Sequence, residues 1–273
     1  MIKSNNYSAI KLLTVVWVFS LFFWLAPTYA SESQNQNLDL KWQNPNYIQK
    51  AFNEIALKNE YKKTAQRILK WQNPIRYKFH YHQILENNLV EELFETHLKH
   101  LAKITNLLIN KTAQNNNLTI HLTSDKNYGN IIQKFTQTSV KDIERDSHCM
   151  GSFKTNRKNE IISAEIVLPL DHVFSRGLLV SCIVEESTQV LGLPNDSDWV
   201  HPSIANDASK VELLTGLDYI FLKILYDPNL KAGMNTTQSQ PIIRQVIQKM
   251  TKDGTIKRAH IQVNQSGLYP YVN

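Results

Sequence analysis

The side chains in this sequence best suited to chemistry sit in one short stretch. From Cys182 to Trp199 the chain reads CIVEESTQVLGLPNDSDW, with adjacent Glu185 and Glu186 and then Gln189 in an otherwise apolar run. Positions four apart share a helix face, so a helix here projects Glu185 and Gln189 together, with Cys182 nearly in line. Glu186 falls about 100° round the helix, beside the stripe of Leu179, Ile183 and Val190. Gly192 supplies the left-handed stop and Pro194 forbids further helix, which leaves Asn195 and Asp196 in a polar loop. Carboxylate and carboxamide oxygens are hard donors, and such a set suits calcium, magnesium or manganese better than zinc. Two neighbouring carboxylates in apolar surroundings offer a second chemistry, a shared proton for acid–base work without metal. The competing structural reading pairs Glu186 with a buried Lys or Arg that fixes the fold.

The stretch resembles the active-site helix of the metzincin metalloproteases, H-E-x-x-H-x-x-G-x-x-H, often followed by Asp and commonly reading L-G-L in its middle. Glu185 stands at the first His, Glu186 matches the catalytic Glu, and Gln189 stands at the second His. Gly192 matches the glycine, Asn195 stands at the third His, and Asp196 matches the acid that follows. All three imidazoles are replaced. The resemblance implies a zincin-like α+β fold, in which a small twisted mixed sheet packs against a long helix and the motif helix, with a helical C-terminal part after them. It implies Glu186 as general base, and Glu185, Gln189, Asn195 and an imidazole from elsewhere, His148 or His201, as ligands of a divalent metal. Gly192 and Asp196 take structural roles. Met234, in Lys231-Ala-Gly-Met234, lies where these enzymes carry a methionine turn below the metal, although plain packing competes at that position.

The chain is also similar to an exported bacterial family known as domain-of-unknown-function family 2927. That likeness rests on the Glu-Glu-x-x-Gln helix ending Leu-Gly-Leu, a Trp-x-x-Pro-Ile element at Trp71 to Ile75 and Leu-Tyr-Asp-Pro at Leu225 to Pro228, across roughly residues 50 to 235. It brings no activity. Three functions follow as expectations: a degenerate metalloprotease-like binding or scaffolding protein of the cell envelope, a metal-dependent peptidase using Glu186, and a metal-free carboxylate hydrolase. A peptide or protein is the ligand class expected, and the sequence names no particular substrate or partner.

A hydrophobic content of 42% with only 8 Gly and 9 Pro in 273 residues describes an ordinary globular protein. Lys3 and Lys11 before the apolar run Leu12 to Leu25, with Thr28-Tyr29-Ala30 after it, predict a signal peptide over 1–30 and export to the periplasm or beyond. The run is short for a membrane span, so none is expected once the signal is removed, with an uncleaved anchor as the alternative. Its removal leaves 28 basic against 24 acidic residues, a mild and dispersed excess that argues against nucleic acid as a partner. Two cysteines in an exported chain predict a Cys149–Cys182 disulfide, with buried free thiols as the alternative. That bridge would bring His148 toward the motif helix.

Residues 31–46 are polar and read as a linker, followed by a single domain over 47–273. Within it, Ile48, Phe52 and Ile55 mark a first helix, and Tyr61, Ala65, Ile68 and Leu69 a second that runs up to Trp71. Ile75 to Tyr81 and Leu118 to Thr123 alternate as half-buried strands, with His80, His82 and His121 on their polar faces. Leu89 to Ile109 is a long packing helix that leaves His97 and His100 at the surface, and Tyr128 to Phe135 forms a short one. Gly151 to Lys154 and Ile161 to Leu168 make a hairpin ahead of the motif helix, while Val211 to Leu225 and Pro241 to Met250 are helices after it. No phosphate loop, dinucleotide fingerprint or nucleophile elbow competes.

Overall fold

The computed structural model describes residues 40–59, 65–136, 147–206, 208–209 and 211–272. The expected signal peptide, most of the linker and Tyr61 of the expected second helix lie outside the described residues. The last part of the expected linker carries structure. Lys41–Gln43 form a 3-10 turn that buries Trp42, and α1 (Pro45–Leu57) starts two residues ahead of Tyr47. Pro45 is pre-set for a first turn, and the Asn44 side chain accepts from the Asn46 N–H at 2.9 Å.

The chain then contributes β1 (Lys70–Trp71), β2 (Ile75–Tyr81), α2 (Asn88–Thr105), β3 (Ile109–Lys111), β4 (Leu118–Thr123) and α3 (Asp125–Phe135). The hairpin strands β5 (Met150–Thr155) and β6 (Glu160–Pro169) follow, then a short α4 (Leu170–Ser175) and the motif helix α5 (Leu179–Gln189). Helices α6 (Gly216–Leu225), α7 (Thr236–Lys252), α8 (Thr255–Asn264) and α9 (Tyr269–Val272) complete it. The six strands form one sheet, ordered β1-β6-β4-β2-β3, with β5 also on β6. Every pairing is parallel except β5 with β6. The protein is therefore a mixed α/β domain with a largely parallel sheet.

One face of the sheet, with Ile75, Tyr77, Leu118, Ile120, Leu122, Ala164, Ile166 and Leu168, shares a core with Leu98 and Leu101 of α2 and Ile183 of α5. The other face is covered in part by α3, whose Tyr128 and Ile132 close on Met150 and Val167.

Four expectations change. The alternation in β4 predicts a half-buried strand, yet all six residues are buried, because α3 covers the face that reads as polar. His121 is consequently only 2% exposed, and His82 packs beside it rather than standing in solvent. His97 and His100 are 1% and 5% exposed instead of lying at the surface. Helix α2 is covered on more than its sheet-facing stripe: His97 reaches Thr188 of α5, and His100 packs under the backbone of Gly267. Finally, the described end of the expected second helix is extended. Arg67 bridges to Asn235, Ile68 exchanges backbone hydrogen bonds with Gly233 and Met234, and Lys70–Trp71 pair with the start of β6.

Candidate functional site

Helix α5 ends where three separated segments meet. Its last carbonyls, Glu186, Thr188 and Gln189, accept from the backbone N–H groups of Val190 to Leu193, and the next two carbonyls of the turn take donors from elsewhere. The Trp71 indole donates to the Val190 carbonyl at 2.9 Å, and the Tyr226 hydroxyl donates to the Leu191 carbonyl at 2.7 Å. The same hydroxyl accepts from the Trp71 backbone N–H at 3.3 Å. Burial pushes the Tyr226 phenol well above its usual range, so it keeps its proton and remains a donor. Lys70 lies over the Tyr226 ring at 5.1 Å and donates to the Leu230 carbonyl at 2.9 Å. Burial lowers its ammonium to about 8. Gly192, at φ +114°, lets the Leu69 carbonyl press directly on the turn.

Past the turn, the Gln189 side chain donates to Asp196 Oδ1 at 2.7 Å, tying the helix to its loop. Asn195 is buried and donates to the backbone carbonyl of Asp196, also at 2.7 Å. The loop continues to a clamp at Tyr47, whose hydroxyl accepts from the His201 N–H at 2.7 Å. Gln189, Asn195 and Asp196 thus form one polar corner, with Glu185 half-buried on the same helix.

Glu186 stands elsewhere. It is 5% exposed and packs against the edge strand β5: a Cβ on Gly151 would fall 2.7 Å from its Oε2. Its charge, with burial ahead of it, helps hold the nearby Tyr128 phenol protonated, while Tyr128 shares a 3.0 Å hydrogen bond with Ser147. The Cys149–Cys182 disulfide is formed, with Cα atoms 5.9 Å apart, and it joins the start of this edge to α5. His148, beside it, turns to His172 of α4, Nδ1 to Nε2 at 2.9 Å, and His172 in turn faces Asp125 at 3.4 Å. His201 lies exposed in the loop next to its clamp. Met234 packs against the core in the turn before α7, where its sulfur accepts from the Lys231 N–H at 3.4 Å.

The structure therefore joins Gln189, Asn195 and Asp196, sets Glu186 against β5, and sends His148 to α4. Among the described residues, no three His, Cys, Asp or Glu side chains stand as a ready metal-ligand set. A cavity of about 220 Å³ borders this junction at Tyr226, where Asn106, Lys223, Asp227, Lys249 and Asp253 also line it. No described helix is long and apolar enough to cross a membrane.

One buried imidazole near α5 escapes a reading of the sequence. His97 contacts the Thr188 hydroxyl at 3.4 Å and the Val184 backbone, one turn apart on one face of α5, and burial lowers its pKa to about 3. The signal for it was its place in the stripe, one residue before Leu98 and three after Phe94.

No curated protein and no solved structure matches this chain. A family model described as a protein of unknown function, DUF2927, matches residues 45–245, from the first turn of α1 into α7 and across the junction of Trp71, α5 and Tyr226. The chain belongs to the DUF2927 family.

Proposed function

We propose that this chain is an exported zincin-like protein of the cell envelope that binds peptide or protein without cleaving it. The observation that carries this reading is the use made of the motif end. Trp71 and Tyr226 hold the Val190 and Leu191 carbonyls in the turn just past α5, Gln189 holds Asp196, and Asn195 holds its own loop, so these groups serve as a structural junction. The order of elements supports the zincin-like part: a parallel sheet, one antiparallel edge strand, a long helix and the motif helix on the same face. In such a layout an extended peptide adds to the edge of β5 through backbone hydrogen bonds.

The second reading is a metal-dependent peptidase with Glu186 as general base and Glu185 and Gln189 near the ion. It is favoured by the closeness of Glu186 to β5, where a peptide carbonyl on that edge would come near a carboxylate. The two readings part in one assay. The chain from Ser31 onward is incubated with an unfolded protein substrate in buffers containing calcium, manganese or zinc, beside its Glu186→Gln variant. No cleavage by either, with saturable retention of peptide, is the expected result. Cleavage by the parent that disappears in Glu186→Gln overturns the binding reading.

A further inference from the structure

Three imidazoles gather on the α3 side of the sheet, away from the motif helix. His80 and His82 lie two apart, so they project from the same face, and the His82 N–H continues the ladder by donating to the Leu122 carbonyl at 2.8 Å. His121 of β4 sits directly beside His80 in register. The ring centroids are 4.3 Å apart for His80 and His82, 5.0 Å for His82 and His121, and 5.8 Å for His80 and His121. Phe135, at the end of α3, stacks on His121 at 4.1 Å and shields one side.

The hydrogen bonds define how His121 is held. Its Nε2 lies 2.9 Å from Glu165 Oε2, and a carboxylate there accepts the ring proton. That fixes the tautomer with a lone pair on Nδ1, which accepts from the His82 Nε2–H 2.8 Å away. A carboxylate gripping the far N–H of an imidazole is the arrangement that orients metal-ligating histidines.

We propose that His80, His82 and His121 bind a late first-row divalent cation, Zn²⁺, Ni²⁺ or Cu²⁺, with Glu165 as the positioning carboxylate for His121. Three imidazoles around a tetrahedral ion at about 2.0 Å from each nitrogen have centroids about 5 Å apart, and the three observed separations bracket that value. Binding requires the His82 and His121 nitrogens to part by about 0.5 Å, since ligand nitrogens on such an ion stand about 3.3 Å apart. His80 is exposed, and rotation of its side chain brings the third donor to the pair. Imidazole nitrogens select these ions over calcium and magnesium. Binding also moves the His82 proton from Nε2 to its Nδ1, which frees an Nε2 lone pair for the ion. Lys78 and Lys134 also face this group and work against a cation, whereas Glu165 works for it. None of the four residues belongs to the motif helix, so the site stands or falls independently of the peptide-binding reading.

The test is calorimetric titration of the untagged chain from Ser31 onward with Zn²⁺ and Ni²⁺ at pH 7.5, with Ca²⁺ as the control. One equivalent of Zn²⁺ or Ni²⁺ binds and Ca²⁺ does not. Glu165→Gln weakens binding about 10- to 100-fold, the effect expected for a lost carboxylate partner. His80→Ala and His82→Ala, at positions not fully buried, weaken it at least tenfold while leaving the metal-free melting temperature within about 2 °C of the parent. His172→Ala, at the His148 pair, leaves it unchanged. Absence of Zn²⁺ and Ni²⁺ binding by the parent overturns the proposal. So does parent-like affinity in both His80→Ala and His82→Ala, or loss of binding only in His172→Ala.

Discussion

Replacing Gly192 by alanine measures how closely the end of α5 is packed on the strand beside it. Gly192 has φ +114°, and a Cβ there would stand 2.0 Å from the Leu69 carbonyl oxygen and 3.4 Å from Leu225 Cδ2. Gly177, at φ +70°, has nothing within 4 Å of the same added atom. Gly177→Ala therefore carries the conformational penalty alone, about 1 kcal/mol. In Gly192→Ala the Leu69 backbone must also retreat by more than about 1 Å to restore ordinary contact. Leu69 is two residues from Trp71, so that retreat loosens the indole bond to Val190 and the shared Tyr226 hydroxyl, at about 1 kcal/mol for each hydrogen bond. The expected loss is about 3–5 kcal/mol, the range of changes with a specific steric cause. For a domain of this size that is a drop of about 6–20 °C in Tm. Urea unfolding of the parent and both variants, followed by circular dichroism, gives the difference. Tyr226→Phe supplies a milder companion that keeps the ring and removes both hydroxyl bonds, with a loss of about 1–3 kcal/mol. If Gly192→Ala loses no more than Gly177→Ala, and Tyr226→Phe loses nothing, the junction does not hold the motif helix.

Burial and the disulfide each set a further outcome. His97, His100 and His82 are lowered to about 3, 4 and 4, in each case chiefly by burial. As pH falls below about 6.5 the unfolded chain takes up protons that the folded chain refuses, so stability falls until those folded pKa values are passed. Asp218, raised to about 6 by burial, works the other way between about 6 and 3.8 and offsets part of the loss. Between pH 7.5 and 5.0 His97 alone accounts for about 2 kcal/mol; His97→Gln should flatten the urea midpoint over that range, and an unchanged slope would remove His97 as the cause. The disulfide closes a sequence separation of 33 residues, so Cys149→Ser with Cys182→Ser should lower stability by about 3–4 kcal/mol. A loss under about 1 kcal/mol in the same unfolding assay would mean that the β5 edge is anchored to α5 by packing alone.

What the sequence made legible was local. The motif helix showed because an apolar run met Gly192 and Pro194, and the hairpin showed because Ile162 to Leu168 alternate beside a charged turn. Burial on a second face was not legible. Thr119, His121 and Thr123 read as a solvent side, and only the return of α3 across the sheet makes β4 an interior strand. His97 misleads for a related reason. Its neighbours Glu95 and Lys99 point outward, and a polar imidazole among them looks like part of that face, until α5 provides the Thr188 hydroxyl. The extended run Ile68 to Trp71 escapes because its apolar spacing fits a helix, while its backbone partners, Gly233 and Met234, lie more than 160 residues away.

Three short patterns in this chain show what spacing holds once its geometry is known. Trp-x-x-Pro-Ile, Glu-Glu-x-x-Gln with Leu-Gly-Leu, and Leu-Tyr-Asp-Pro are far apart in the chain, yet Trp71, Val190, Leu191 and Tyr226 make one hydrogen-bonded junction. A Trp or Tyr carries a large apolar body with one polar tip, and when buried that tip must find a partner. The end of a helix offers carbonyls that need a donor. A Trp and a Tyr flanked by helix-stopping prolines, in a chain whose central helix ends at a glycine, are therefore candidates for holding the turn that follows that helix. That logic accounts for Trp71, Gly192 and Tyr226 without any catalytic requirement. It leaves Glu186 as the residue of these patterns whose position against β5 the junction does not explain, and so as the residue on which the choice between binding and hydrolysis turns.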